Sequence, residues 1–255
     1  MSLPKDRSIA DAFKREKKEL RRFAEMIQGM ELKGYALPKR PNYDQGGLES
    51  GIHGFFPMMG IPCYAETCLP KDRPTIFCAH SEKFDEFEIR LEEAVNSNRP
   101  YLITNSSVKG KQGIPKVIQE LSAEVAMKSP PCIAVRGNIH LLRFDSPWDL
   151  SRLPELDQLR NHLLKPWKLE MDAPFGVSLT LLEDSTKKIE VLQNFNDVPV
   201  KVRLCYGDDI ERIKTVSLPD DSAATIFSGE QKNEFVITLA PRSLLTVSTR
   251  AVTAN

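Results

Sequence analysis

Cysteine, histidine and serine are the residues here whose types and spacing could do chemistry. Cys63, Cys68, Cys78 and His80 read as C-x4-C followed by C-x-H. That is not a zinc-finger spacing. Cys78 and His80 alternate along a predicted strand and so share a face. Buried small hydrophobes and a strand-end histidine account for the same pattern, and no metal or other cofactor is expected. Ser106 and Ser107 follow a second predicted strand, where a nucleophile stands on an elbow. The tight G-x-S-x-G or G-x-C-x-G turn is missing, and no glycine closely precedes Ser106. His53, His80 and His140 could each supply a base, and the spacing selects none of them. A polar strand-to-loop turn is the simpler account. No catalytic residue is therefore assigned, and Ser106, Ser107, His80 and Cys78 remain the candidates.

Two further chemistries are weaker. Glycoside hydrolysis needs two acids held about 5–9 Å apart across a sugar, and 35 acidic residues single out no pair. Sugar stacking would use Trp148 and Trp167, but these flank a helix between two regions and read as anchors joining them.

The elements that must position these residues centre on 72–107, which reads as strand, helix, strand. Pro74 to Ala79 is a short apolar run, and Tyr101 to Thr104 is a second strand after Pro100. Between them Ser81 is placed to cap a helix, with Glu82 in its first turn. That helix carries Phe84, Phe87, Leu91, Ala94 and Val95 on one face. Glu86, Glu88, Arg90, Glu92 and Glu93 fall mostly on the other. Such a unit belongs to a parallel sheet, whose ligands bind at the carboxyl ends of the strands.

Upstream, Ser8 to Gln28 is a predicted helix, and its basic run from Lys14 to Arg22 reads as a solvated face. Gly34 to Leu37 is a short strand. Lys39 to Gly54 is a glycine-rich loop whose spacing fits neither a Walker loop nor a dinucleotide fingerprint, so a surface loop or lid is expected. A short helical turn over Phe55 to Gly60 and a strand over Ile61 to Ala65 come next. Downstream, Lys116 to Met127 is a helix. Cys132 to Val135 and Ile139 to Phe144 form a hairpin about Gly137-Asn138, and Pro154 to Leu164 is a linking helix. Seven strand-like runs then appear: Val177–Leu182, Ile189–Asn194, Val200–Cys205, Ile210–Ser217, Ala223–Phe227, Phe235–Leu239 and Ser243–Thr249. Short strands at this spacing predict an antiparallel sandwich.

Composition bounds the rest. The 255 residues are 41% hydrophobic and 27% charged, which fits a globular chain with real cores. Basic and acidic residues number 35 each. That balance argues against a nucleic-acid surface and makes self-association unsurprising. Five cysteines without framework spacing, no signal peptide and no long apolar run point to a reducing cytoplasm and no membrane. Met1-Ser2-Leu3 resembles an expression-vector leader, so the natural start is expected near Pro4, in a chain that could be cut from something longer.

Two pieces carry a resemblance. The first runs Gly60-Ile61-Pro62, a strand, Arg73-Pro74-Thr75-Ile76-Phe77, a helix, and Pro100-Tyr101-Leu102-Ile103-Thr104-Asn105-Ser106. It is similar to the glutamine-amidotransferase-like, flavodoxin-like accessory domains that follow the catalytic barrel in bacterial β-galactosidase-type glycoside hydrolases. There they are called trimerisation domains. The second runs Leu153-Pro154-Glu155-Leu156-Asp157-Gln158-Leu159-Arg160, Leu163-Leu164-Lys165-Pro166, Val177-Ser178-Leu179 and Val191 to Val200. It resembles the tail of large bacterial proteins related to glycoside hydrolases, where a helix leads into a small β-sandwich. Leu239-Ala240-Pro241-Arg242-Ser243 suits the last hairpin of such sandwiches. The resemblance implies domains that lack the amidotransferase cysteine and the catalytic acids. This chain agrees, since Asn105-Ser106-Ser107 occupies the elbow. It departs in lacking a (β/α)8 barrel, which takes about 200 residues or more. Either the barrel was cut away or this is a stand-alone relative.

The expectation is thus an α/β, flavodoxin-like parallel-sheet domain (1–150), a linking helix (151–166) and an antiparallel β-sandwich (167–255). Its expected role is non-catalytic: self-association as a homo-oligomer, or packing against a carbohydrate-active catalytic domain. The alternatives are an amidotransferase-like hydrolase with a serine nucleophile and a carbohydrate-binding module.

Overall fold

The fold is that of a computed structural model, which describes residues 17–18, 20–39, 51–207, 210–218, 224–228 and 233–251. A helix over 20–27 (α1) leads into two short strands, β1 (Glu31–Lys33) and β2 (Tyr35–Pro38). Residues 8–16 of the expected first helix, and 40–50 of the expected loop or lid, lie outside the described residues. There follow α2 (Ile52–Met58), β3 (Cys63–Glu66), β4 (Ile76–Phe77), α3 (Phe87–Val95), β5 (Tyr101–Thr104), α4 (Asn105–Val108) and α5 (Lys116–Ala126). A hairpin of β6 (Cys132–Arg136) and β7 (Ile139–Arg143) precedes α6 (Leu156–Leu164).

Strands β2 and β3 pair in parallel, as do β4 with β5 and β5 with β7, and β6 closes the edge antiparallel to β7. A parallel bridge from Ala36 to Thr75 joins the β2–β3 pair to β4. The strands thus run in the order β3, β2, β4, β5, β7, β6. Both faces are covered, as parallel strands require. Ile76, Leu102 and Leu142 pack with Phe56 of α2 and Leu159 and Leu163 of α6. Phe77, Ile103 and Leu141 pack with Leu91 of α3 and Ile118 and Leu121 of α5. Each such side chain contributes about 1.5–3 kcal/mol by burial.

Three local expectations need correcting. Ser81 does not cap α3. Its hydroxyl accepts from the Cys78 amide at 3.0 Å, closing a backward turn that runs into a 3-10 turn at Ser81–Lys83. Phe84 is then extended, and α3 begins at Phe87 with no side-chain cap. Arg90, read as outward-facing, is only 8% exposed. The short helical turn expected over Phe55 to Gly60 is instead a helix that begins earlier, at Ile52, within the expected loop. This helix is α2, with Gly51 at φ +78° before it.

After a 3-10 turn at Lys165–Trp167, the remaining elements among the described residues are strands: β8 (Leu169–Asp172), β9 (Val177–Glu183), β10 (Lys188–Asn194), β11 (Val200–Tyr206), β12 (Ile210–Leu218), β13 (Ala224–Ser228), β14 (Glu234–Leu239) and β15 (Leu244–Ala251). They form two antiparallel sheets, ordered β1-β9-β10-β15-β12 and β13-β14-β11-β8. Leu179, Leu192 and Val247 of the first sheet share one cluster with Met171, Val202, Leu204 and Ile237 of the second. The seven expected runs all appear as strands. Strand β8 and the contribution of β1, which crosses from the front of the chain, are additions.

The two regions are knotted together by Arg160 on α6, which is wholly buried. Its Nε donates to Met59 O at 2.7 Å, Nη1 to Met171 O at 3.0 Å and Nη2 to Ala173 O at 2.9 Å. Gly60 makes this possible. It sits at φ +74°, and a Cβ there would lie 2.8 Å from Arg160 Nε and 2.5 Å from Met171 Cε. Tyr35 Oη donates to Leu163 O at 2.9 Å, and the half-buried Trp167 packs against both clusters. No helix among the described residues is long and apolar enough to cross a membrane.

Candidate functional site

The carboxyl ends of β2, β4 and β5 bring several expected residues to one edge. Cys78, just past β4, is fully buried, and its Sγ lies 3.8 Å from Pro38 O at the end of β2. The ring nitrogen Nε2 of His53, on α2, reaches the same carbonyl at 3.2 Å. A carbonyl only accepts, so Nε2 carries the proton there. The His53 and His80 rings meet edge to face with centroids 4.9 Å apart. Burial lowers the pKa of both, and for His80 the nearby His53 adds to the effect. Both imidazoles are therefore held toward the neutral form.

The serines follow β5 directly. Ser106 is exposed, and its Oγ lies 3.0 Å from Thr104 Oγ1. Ser107 is fully buried, and its hydroxyl donates to Thr104 O at 2.7 Å. Asn105 Oδ1 accepts from Ser122 Oγ of α5 at 2.7 Å. The segment 105–108 is one ordinary helical turn. Among the described residues only Lys168 and Arg242 combine a side chain with positive φ, so the strained backbone of a nucleophile elbow is not found at Ser106. A cavity of about 90 Å³ lies against Ser106, Lys109, Arg143 and Asp145. It is well below the several hundred Å³ of a typical small-molecule site.

The other candidates lie elsewhere. His140, on β7, is 2% exposed and stacks against His162 of α6 with ring centroids 4.4 Å apart. Burial first, then His162, brings its pKa down to about 4, so His140 is a neutral core residue. Cys63 lies on β3, and Cys68 is exposed beyond it. Burial raises the pKa of both thiols, which disfavours the thiolate that binds metal. Among the described residues no three histidine, cysteine or acidic side chains converge as a metal site. Trp148 departs from its expected anchoring role. It is 68% exposed, with its ring edge-on to Phe55 at 4.6 Å. Trp167 does sit at the joint.

No family model matches the sequence, and no curated protein matches it. Solved structures give weak likenesses. A rhamnosidase from Novosphingobium sp. PP1Y aligns over 90% of this chain and 24% of its own, with 11% identity and a TM-score of 0.36. The glycoside hydrolase family 30 xylanase Xyn30A from Clostridium acetobutylicum aligns over 32% and 24%, with 15% identity and a TM-score of 0.27. The chain thus spans about a quarter of the length of each. At these TM-scores neither likeness bears on function.

Proposed function

We propose that this chain is a non-catalytic accessory protein, with a flavodoxin-like α/β body fixed to a β-sandwich, that acts by self-association or by packing against a carbohydrate-active partner. Counted in chain order, the parallel strands β2, β3, β4, β5 and β7 follow the order 2-1-3-4-5, which is that of flavodoxin-like sheets. The observation that carries the non-catalytic reading is Ser107. Its hydroxyl is buried and donates within its own turn, a structural use that leaves it no path to a substrate. Ser106 beside it lacks an elbow backbone. Equal numbers of acidic and basic residues support self-association, because net repulsion between copies is absent.

Light scattering on a sizing column tests the oligomer. A mass that is a multiple of 28.8 kDa is expected, and a strict monomer at every concentration would remove that half of the proposal. The second reading, a serine hydrolase, is favoured by the exposure of Ser106 at the carboxyl end of β5. A fluorophosphonate probe separates the two. No labelling is expected, and labelling abolished by Ser106→Ala would make the chain an enzyme.

A further inference from the structure

At the opposite, amino-terminal end of the parallel strands lies a cavity of about 510 Å³, bounded by the loop into β4, the start of β5 and α3. Its volume falls within the range of small-molecule sites. Lys71, Arg73, Arg90 and Arg99 line it with two carboxylates, Asp72 and Glu93, and Arg73 is itself paired with Glu31 at 3.4 Å outside the cavity. Phe77 and Tyr101 also line it, with ring centroids 6.1 Å apart.

Arg90 is the telling residue. It is buried to all but 8%. Its Nη1 pairs with Glu93, yet its Nε is buried without a hydrogen-bond partner among the described residues. A buried guanidinium is costly unless its donors are met. Glu93 is itself 52% exposed and leaves the demand incomplete. Arg99 stands at the rim, where Nη1 donates to Asp72 O at 3.0 Å. A guanidinium has five donors, and this bond uses one. A neighbouring cavity of about 470 Å³ shares Asp72, Arg73 and Arg99 with the first and reaches Trp167. Arg99 is therefore a common wall.

We propose that this cavity binds a small organic oxyanion, a phosphate monoester or a carboxylate, carried on a ring that lies against Tyr101. The planar fork of arginine matches both oxyanions with paired, charge-assisted bonds, and the aromatic wall suits the less polar face of a ring. This binding goes beyond the accessory role and does not depend on it.

Calorimetric titration of the full chain with glucose 6-phosphate, glucuronate and neutral glucose is the test. At least one of the two anions binds, glucose does not, and the anion that binds identifies the headgroup. Arg99→Gln and Lys71→Gln, both at exposed positions, each weaken binding about tenfold, the effect of losing one charge-assisted contact. Their thermal unfolding stays as in the parent. Silence from both anions, equal binding of glucose, or unchanged affinity in Arg99→Gln would overturn the proposal.

Discussion

His140 and Glu190 are buried ionisable groups of opposite kind, one in each region. His140 is held down to about 4 from an ordinary 6.5 by burial and His162. Glu190 is 3% exposed on β10, on the same strand face as Leu192, which packs in the inter-sheet cluster. Burial pushes its carboxyl up from 4.5 to about 7. Among the described residues Glu190 Oε2 and Tyr206 Oη lack partners of hydrogen-bonding geometry, although the two side chains are close enough to affect each other's ionisation. At His140 the unfolded chain binds the proton better, so stability is full above pH 6.5 and is lost as pH falls toward about 4. At Glu190 the folded chain binds it better, so stability is full below pH 4.5 and is lost as pH rises toward about 7. Each shift corresponds to about 3 kcal/mol, and the two oppose each other over one window. Urea denaturation across that window should therefore show Glu190→Gln gaining on the parent as pH rises. His140→Gln should gain on it as pH falls. A Glu190→Gln curve parallel to the parent would mean that the carboxyl ionises alike in the folded and unfolded chain.

At the scale of elements, α6 is the joint, and Arg160 is its pin. Replacing Arg160 by methionine strips donors from three buried carbonyls and should destabilise the protein by about 3 kcal/mol or more. Gly60→Ala should also destabilise, through its positive φ and the clash with Arg160, by about 1–3 kcal/mol. Both are read as shifts in denaturation midpoint, and an unchanged midpoint in either would contradict the packing described. The strands from Val177 onward were legible in the sequence because alternating apolar residues repeat over several positions. In β11, Val200, Val202, Leu204 and Tyr206 alternate inward. Strands β1 and β8, Glu-Leu-Lys and Leu-Glu-Met-Asp, carry only one and two apolar residues and were not recognised, whereas the equally short but mostly apolar β5 was. The serines at the end of β5 were legible for a similar reason, since the preceding run is apolar and short. Arg90 and Arg160 were not. Helical periodicity assigns a charged residue to the solvent face, and only the packed structure shows which guanidinium is enclosed by carbonyls or a cavity wall.

On this geometry the two regions should unfold as one cooperative body. The front sheet, α6 and the rear sheets meet through Arg160, Tyr35 and Trp167. Circular dichroism, which follows the whole chain, and tryptophan fluorescence, which follows Trp167 at the joint and the exposed Trp148, should report one coincident unfolding transition. Arg160→Met should pull the two signals apart. Coincident curves in that variant would show that the remaining contacts, the pairing of β1 with β9 among them, couple the regions without Arg160.

The pairing of β1 with β9 bears on where the polypeptide can be divided. A rear piece beginning at residue 167 would leave behind Glu31, Leu32 and Lys33, which lie against Glu183, Leu182 and Leu181. The border of β9 would then stand bare, a ready template for another copy. Anyone excising the back half for separate study should graft 31–33 onto it, or expect aggregates.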